Sequence, residues 1–326
     1  MSDHLNTESK KRKFWLKPAV WLSATFFCIF LWGSAFPAVK TGYQFFQIDN
    51  TASDAVPSLL LFAGLRFSLA GLFTVLFTAM TEKIRPIPNT RRQWLDAATL
   101  AIPQTIFQYG LFFVGLANTS GAAGSIMSGA SSFISVILAS LIFIDERLDL
   151  TKILGCIIGF SGIVILNLKT AGSLGFNWRG DGLMLLSAIA TAIGAVISKP
   201  LAERNHPRLL SGWNFILGGL ALISLGLSFG GSLEPLDYRA WLILTYLSFL
   251  SSTAFALWTT MVKYHSVSKL SVFKSLIPVV GTVGSGIVLG ENILQIRLLI
   301  ALVLVVAGIG IVNYNRQINI KVETKT

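Results

Sequence analysis

Long apolar stretches alternate with short polar breaks along almost the whole chain. A helix needs about 20 apolar residues to cross a bilayer, and most of the stretches approach that length. They are roughly twice as long as the strands of a membrane barrel, and lipid offers no partner for open backbone groups. The pattern therefore predicts an all-α membrane protein with ten transmembrane helices, at about 19–40, 58–80, 95–117, 121–143, 152–169, 180–199, 209–229, 240–261, 268–289 and 296–314.

The composition points the same way. Hydrophobic residues make up 53% of the 326 residues, and charged residues make up only 13%. Water-soluble proteins carry about a quarter charged residues, so a chain of this composition lies largely in lipid. Ten spans and their short connections use nearly all of the sequence. The composition therefore excludes a water-soluble protein and leaves no room for a separate soluble domain.

Positive charge is distributed unevenly over the connections between the apolar stretches. The net charge is +11, which in a soluble protein would suggest nucleic-acid binding. In membrane proteins, Lys and Arg gather instead in the cytoplasmic connections. With the N-terminal tail in the cytoplasm, 19 of the 26 cations lie on that side, five lie on the other side, and Arg66 and Lys274 lie within helices. We therefore predict a multi-pass protein of a bacterial inner (plasma) membrane, with both termini cytoplasmic and the lipid bilayer, not nucleic acid, as its partner.

The two halves of the chain resemble each other. The segment FIDERL closes the fourth apolar stretch and VLGENI closes the ninth, 145 residues later. The repeat unit is therefore five helices, and because five is an odd number, the second copy enters the membrane from the opposite side. Inverted repeats are typical of secondary transporters. The predicted organisation is a cytoplasmic basic tail at 1–18, a first repeat at 19–170, a second repeat at 180–314 and a cytoplasmic tail at 315–326.

Several short motifs lie within or just after particular helices of this ten-helix arrangement. They are Trp32-Gly33-Ser34 in helix 1, Leu65-Arg66-Phe67 in helix 2, Glu146-Arg147-Leu148 after helix 4, and Pro278 and Gly290-Glu291 in and after helix 9. The combination resembles the EamA-type members of the drug/metabolite transporter superfamily. The resemblance implies an inner-membrane carrier with a central cavity, in a family with many exporters of amino acids, metabolites or toxic compounds. One departure is that Phe133 stands where helix 4 would carry the counterpart of Pro278.

The first candidate for substrate binding is Lys274, about six residues inside helix 9 and four before Pro278. A cation at membrane depth usually faces a cavity or a partner, where it attracts a carboxylate, a phosphate or another anionic group. Alternatively, the long side chain of Lys274 snorkels to the cytoplasmic surface. Pro278 would free a backbone carbonyl near the cavity, as such breaks do in carriers, or would only kink the helix.

Polar residues inside helices 3 and 4 extend the candidate cavity. Gln104 and Gln108 have i, i+4 spacing on helix 3, and they either line the cavity or bond to a neighbouring helix. Ser128 and Ser132 belong to a row of serines on one face of helix 4. That row is either a polar lining or a set of small residues that allows close helix packing.

Helices 1 and 8 add aromatic candidates to the same cavity. Trp32 and Ser34 lie together in helix 1, and Trp258 lies in helix 8. A belt of aromatic residues at the membrane surface would also explain Trp258. It explains Trp32 less well, because Trp32 lies more than halfway along its helix.

Three charged residues near or inside the helices favour a structural interpretation. For Arg66 we predict an interfacial or interhelical contact, because no predicted helix carries an acid at its middle to pair with it. The inverted topology places Glu146 and Glu291 on opposite sides of the membrane, so they cannot act together as acid and base. Each precedes a helix, where a carboxylate complements the dipole of the first turn.

The predicted function is secondary transport by alternating access, as an exporter of a small metabolite or amino-acid-like compound. No GxxxxGK[ST] motif is present to power a pump. The alternatives are an intramembrane enzyme or a non-transporting scaffold; a serine enzyme at Ser285 would have only Lys274, three turns away, as its base. Cys28 and Cys156 are isolated, and the histidines lack ligand spacing, so we predict no metal and no cofactor.

Overall fold

The computed structural model describes residues 13–48, 55–142, 149–166, 176–265, 270 and 272–323. These residues form helices and connections, with no strand among them. The sequence motif Glu146-Arg147-Leu148 and most of the N-terminal tail lie outside the described residues. The helices are α1 Pro18–Phe45, α2 Ala55–Glu82, α3 Arg91–Ala117, α4 Gly121–Ile142, α5 Leu150–Leu166, α6 Trp178–Arg204, α7 Pro207–Ser228, α8 Tyr238–Tyr264, α9 Phe273–Leu289 and α10 Ile296–Glu323.

Length and hydropathy separate these helices into two groups. Within the described residues, seven helices are long and apolar enough to cross a membrane: α1 to α4, α6, α7 and the Tyr238–Trp258 part of α8. Shorter apolar helices are α5, α9 and the Ile296–Val312 part of α10. The prediction of an all-helical membrane protein is thus confirmed for this part of the chain, whereas the crossing of all ten helices stays a prediction.

Several helices depart from regular α geometry, and α3 and α9 do so near candidate residues. Thr90 and Gln93 form a capping box that begins α3, and the helix then widens to a π-helical segment at Ile102–Phe107. Pro103 lies at the start of this segment, where its missing N–H breaks the α-helical ladder. In α9, a 3₁₀ segment at Val272–Leu276 precedes the α-helical part. Both irregular segments carry or adjoin residues that the sequence marks as candidates.

Glycines bring α2 and α7 together in antiparallel orientation. A Cβ atom on Gly64 would lie 2.7 Å from the carbonyl oxygen of Gly219, and one on Gly71 would lie 2.5 Å from that of Gly212. As residue numbers rise along α2, those of the partner on α7 fall. Small residues let backbones approach this closely in membrane helices. The helices α5 and α10 pack in the same antiparallel way, through glycines that include Gly155 and Gly308.

The remaining major contacts link the first five helices with the last five. The helix α1 lies against α8 and α9, and α6 lies against α3 and α4. Likewise α8 packs on α2, α3 packs on α7, and α4 packs on α9. This set of pairs is unchanged when each helix is replaced by the one five positions away. The interface between α1, α8 and α9 positions the site described next.

Candidate functional site

Lys274 lies over two tryptophan rings at the start of α9. Its Nζ atom is 4.4 Å from the ring centroid of Trp258 and 5.3 Å from that of Trp32. Among the described residues, no carboxylate forms an ion pair with it. An ammonium over an indole face is attracted by the negative face of the ring. The sequence places Lys274 about six residues inside helix 9, whereas the structure places it in the 3₁₀ segment that precedes the α-helical part.

The two tryptophans belong to an aromatic group between α1 and α8. The ring centroids of Trp32 and Trp258 are 5.2 Å apart, and Trp32 meets Phe255 edge to face at 5.9 Å. Trp258 is only 9% exposed, so it does not belong to an aromatic belt at the surface. We name Lys274, Trp32, Phe255 and Trp258 the lysine–tryptophan cluster. Its four members come from three helices, and each indole offers its face to the same cation.

Ser34 lies near this cluster and faces α8. Its Oγ atom is 2.7 Å from the hydroxyl oxygen of Tyr246, and it also donates to the backbone carbonyl of Leu31. Ser34 is two residues from Trp32, and Tyr246 is nine residues from Phe255 on α8. The α1–α8 interface therefore carries both the cation-binding aromatic faces and a pair of hydroxyl groups.

The structure connects Gln104 to a neighbouring helix. The Nδ2 atom of Asn214 on α7 donates to Gln104 Oε1 at 3.3 Å, and Thr105 Oγ1 donates to Asn214 Oδ1 at 2.7 Å. Asn214 is almost fully buried. Of the two possibilities that the sequence leaves for Gln104, the interhelical bond is therefore present. Gln108 follows the π-helical segment, and its backbone carbonyl accepts a hydrogen bond from Ser187 of α6.

The serines of α4 bond mostly to their own helix. Ser128 Oγ donates to the carbonyl of Gly124, and α4 is interrupted at Gly129 between Ser128 and Ser132. Ser125 differs, because its Oγ lies 3.1 Å from the hydroxyl oxygen of Thr282 on α9. The row of serines on α4 thus serves chiefly as a small, self-bonded helix surface in this structure.

Pro278 opens the α-helical part of α9 instead of interrupting it. It occupies the first turn of Ile277–Leu289, where the missing N–H leaves no bond unmade. The expected break is therefore a change from 3₁₀ to α geometry. The carbonyl oxygen of Pro278 accepts a hydrogen bond from Ser125 at 3.3 Å. Pro278 is thus placed at the contact between α9 and α4.

Arg66 lies buried between helices, where it makes the interhelical contact that the sequence offers as one of two possibilities. Its side chain is 4% exposed, and Nη2 donates to Ser251 Oγ of α8 at 3.2 Å. The guanidinium carbon is 4.9 Å from the ring centroid of Phe67 and 5.5 Å from that of Phe113. The interhelical contact proposed for Arg66 is therefore present, with a hydroxyl group as its partner.

Glu291 caps a helix, but a different one from the helix that follows it. Its carboxylate accepts hydrogen bonds from the backbone N–H groups of Gly121 at 2.7 Å and Ala122 at 2.9 Å. These groups begin α4, where the dipole favours a negative charge. On the same side, Lys40 of α1 donates to the carbonyl of Thr119. The sequence suggested that Glu291 caps α10, because α10 is the helix that follows it along the chain. The start of α4 is 170 residues away in sequence and becomes a neighbour only in the folded protein.

Several contact residues on α7 and α8 were not found from the sequence. Tyr246, Ser251 and Phe255 lie on α8, and Asn214 lies on α7. A polar Asn inside an apolar helix is a signal that could have marked Asn214. The other three lie in α8, which carries Ser, Thr and aromatic residues at many positions, so the sequence does not show which of them meets α1 or α2. Among the described residues, no group of three His, Cys, Asp or Glu side chains is arranged to hold a metal.

Known proteins resemble this chain along most of its length. A chloroplastic WAT1-related protein of Arabidopsis thaliana is 28% identical over 295 residues, which cover 87% of this chain and 67% of that protein. A probable amino-acid metabolite efflux pump of Salmonella typhimurium is 25% identical over 293 residues, covering 87% and 91%. A crystal structure of 20% sequence identity has a TM-score of 0.62 and covers 90% of this chain and 96% of its own, which shows a shared fold.

A family profile accounts for both halves of the chain. Residues 19–168 and residues 178–314 match the EamA-like transporter family. These two ranges contain the helices that are long and apolar enough to cross a membrane. Further relatives, from Synechocystis and Archaeoglobus fulgidus, are named as uncharacterized transporters. The chain therefore belongs to the EamA-like transporter family and is a multi-pass membrane protein.

Proposed function

We propose that this protein exports a small metabolite or amino-acid-like compound across the inner (plasma) membrane. The relative from Salmonella typhimurium, a probable amino-acid metabolite efflux pump, supports both the substrate class and the direction. Transport would occur by alternating access, in which a site between two halves opens to one side of the membrane and then to the other.

The observation that carries this proposal is the lysine–tryptophan cluster. Lys274 has no carboxylate partner among the described residues, and two indole faces hold it at the junction of α1, α8 and α9. An ammonium group in such surroundings attracts the carboxylate of an amino acid or a related acid. The neighbouring Trp32, Trp258 and Phe255 would contact the apolar part of the same molecule. We therefore propose Lys274, Trp32 and Trp258 as the centre of the substrate site.

The other candidates take lesser places in the proposed site. Ser34, with Tyr246, offers hydroxyl groups on the α1–α8 interface next to the cluster. Pro278 lies one turn after Lys274, where α9 meets α4. Gln104, Gln108, Ser128 and Ser132 stay candidates for the wall of the pathway, although Gln104 and Ser128 already have bonding partners.

Transport by reconstituted protein tests the role of Lys274. Purified wild type in proteoliposomes would be assayed for uptake of a panel of radiolabelled L-amino acids and their N-acetyl derivatives. For the compounds transported, Lys274→Gln should lower the affinity at least tenfold, and Lys274→Arg should retain part of it. The control is Lys17→Gln, because Lys17 is an exposed cation before α1 and should not alter transport. Normal rates and affinity in Lys274→Gln would remove Lys274 from the mechanism.

We further propose that the protein consists of two inverted five-helix repeats, at 19–170 and 180–314. Three observations support this. The family profile matches two ranges, α2 and α5 run antiparallel to α7 and α10, and the contacts are unchanged when helices five positions apart are exchanged. The excess of Lys and Arg in alternate connections favours cytoplasmic termini, with basic tails at 1–18 and 315–326.

A further inference from the structure

Arg66 is a buried cation whose charge no described group neutralises. Only 4% of its surface is exposed, and Nη2 donates to the neutral hydroxyl of Ser251. No ion pair links it to a carboxylate in the described part of the chain. Its Nε atom is buried and has no hydrogen-bond partner. A guanidinium has five N–H donors in a planar fork, and the Nε donor of Arg66 is unused.

Burial without a counter-charge is unusual for arginine. Removing a charge from water costs several kcal/mol unless an opposite charge or good hydrogen bonds compensate for it. Phe67 and Phe113 place their rings 4.9 and 5.5 Å from the guanidinium carbon, which compensates in part. The titratable side chains that interact with its charge are Tyr43, Tyr109 and Tyr246, and none of them is a carboxylate. The surroundings therefore lack one negative charge.

Arg66 on α2 and Lys274 on α9 both contact α8. Ser251, the partner of Arg66, and Trp258, the partner of Lys274, are seven residues apart on α8. Seven residues make two turns, so the two contacts lie on one face about 10 Å apart. Phe255 lies between them on the same helix. Through Phe215, whose ring is 5.1 Å from that of Phe255 and 5.4 Å from that of Phe67, aromatic contacts continue to Arg66.

We propose that Arg66 and Ser251 form a buried site for a compact monoanion, separate from the lysine–tryptophan cluster. The guanidinium fork would bind the carboxylate end of an organic acid, or a chloride ion, and the hydroxyl of Ser251 would fix its orientation. The site deepens the proposed function, because it names an anionic group as part of the substrate or as an ion bound with it. Its link to transport rests on that function, whereas anion binding itself does not.

Thermal unfolding of the full chain in lipid nanodiscs tests the site without a transport assay. Any ligand that binds the folded state raises the unfolding temperature in a saturable way. The probes are phenylacetate, its neutral isostere phenylacetamide, and chloride, each titrated to 100 mM. For the wild type, we expect a saturable rise with phenylacetate, with chloride or with both, and none with phenylacetamide. Phenylacetate alone indicates a substrate carboxylate, and chloride alone indicates a bound halide.

Two variants of Arg66 test whether this residue causes the rise in unfolding temperature. Arg66→Gln should lower the affinity for the anion at least tenfold. Arg66→Lys should retain part of that affinity because it keeps the charge. Arg239→Gln is the matched control, since Arg239 is an exposed arginine at the start of α8 and its loss should leave the rise intact. If Lys274→Gln abolishes the rise and Arg66→Gln does not, the anion belongs to the proposed transport site and the Arg66 site is refuted. Absence of any rise in the wild type also refutes it.

A stability measurement guards against a variant that fails to fold. If Arg66 lacks a counter-charge, Arg66→Met should unfold at the same temperature as the wild type or higher, in buffer without chloride or carboxylates. If Arg66 serves only to anchor α2 to α8 through Ser251, the same variant should unfold at a lower temperature. A clear decrease, together with an equal decrease for Ser251→Ala, would overturn the proposal.

Discussion

At the scale of single residues, two cations and one carboxylate differ in how far other groups already bind their charge. Lys274 and Arg66 each lie against aromatic faces, and neither has an acidic partner among the described residues. Glu291 instead binds two backbone N–H groups at the start of α4. A cation over an aromatic ring keeps its charge available for a ligand, whereas a carboxylate bonded to a helix end is fully used. This difference is why we propose ligand binding by the two cations and not by Glu291.

The contact between Lys274 and Trp258 should contribute measurably to stability. A double-mutant cycle with Trp258→Leu and Lys274→Met should give a coupling free energy of about 0.5–2 kcal/mol, because a desolvated cation over an indole is stabilising. The measurement is the free energy of unfolding in mixed detergent micelles. The control cycle combines Lys274→Met with Trp178→Leu, since Trp178 is 76% exposed and lies on α6. Additivity in both cycles would contradict the cation–π contact.

Glu291 should stabilise the fold through α4. Glu291→Ala leaves two N–H groups without their charged partner, and we expect a loss of about 1.5–3 kcal/mol in the free energy of unfolding. Glu291→Gln keeps an acceptor and should lose less. The matched control is Glu234→Ala, because Glu234 is exposed and contributes its backbone carbonyl, not its side chain, to the bond with Gln47. Equal stability of Glu291→Ala and the wild type would rule out the cap.

At the scale of helices, small residues decide which pairs approach closely. Gly64 and Gly71 on α2 lie directly against the backbone of α7, and a Cβ atom there would meet backbone atoms at 2.5–2.8 Å. Backbone cannot move aside as a flexible side chain can. Gly110 on α3 is different, because a Cβ atom there would meet only leucine methyl groups at 3.5 Å. A side chain therefore has no space at Gly64 and Gly71 on α2, whereas it has space at Gly110 on α3.

Alanine substitutions should separate these two kinds of glycine. Gly64→Ala and Gly71→Ala should each destabilise the protein by about 1–3 kcal/mol, because overpacking forces α2 away from α7. Gly110→Ala should be neutral or stabilising, because alanine favours helix by about 1 kcal/mol over glycine. Unfolding midpoints in micelles measure all three variants. A stabilised Gly71→Ala protein would show that the two helices are farther apart than the structure places them.

At the scale of the whole molecule, the helices of one half find their partners in the other. The pairs α2–α7 and α5–α10 are antiparallel, and α1 reaches α8 and α9 as α6 reaches α3 and α4. A substrate at the lysine–tryptophan cluster would contact helices of both halves. Such an interface can change shape by rotating one half against the other, which is how inverted repeats alternate between two open states.

Cysteine labelling should reveal the orientation of the two halves. Asn89 lies between α2 and α3, and Glu234 lies at the corresponding place between α7 and α8. In intact cells, a membrane-impermeant maleimide should label Glu234→Cys and should reach Asn89→Cys only after permeabilisation. The native Cys28 and Cys156 are buried and give little background. Labelling of both positions from the same side would contradict the inverted repeats.

The sequence predicts the helices well but their contacts poorly. The stretch at 121–143 matches α4, Gly121–Ile142, because a long apolar run is visible without knowing its neighbours. The π-helical segment at Ile102–Phe107 and the 3₁₀ segment before Pro278 are not predicted, since they depend on local hydrogen bonding and packing. Partners such as Tyr246 and Ser251 are missed for another reason. Hydroxyl groups are spread around α8, so its sequence has no pattern that shows which of them meets which neighbour.

The interlocked glycine faces of α2 and α7 also have a consequence for biogenesis. Synthesis proceeds at about 5–20 residues per second, so α7 is completed roughly 7–30 s after α2. During that interval α2, which carries Arg66 near its middle, lies in the bilayer without α7, its main packing partner. Either half expressed alone should therefore be a substrate for membrane quality-control proteases. Co-expression of the two halves as separate chains should restore their abundance, because each supplies the surface that the other lacks.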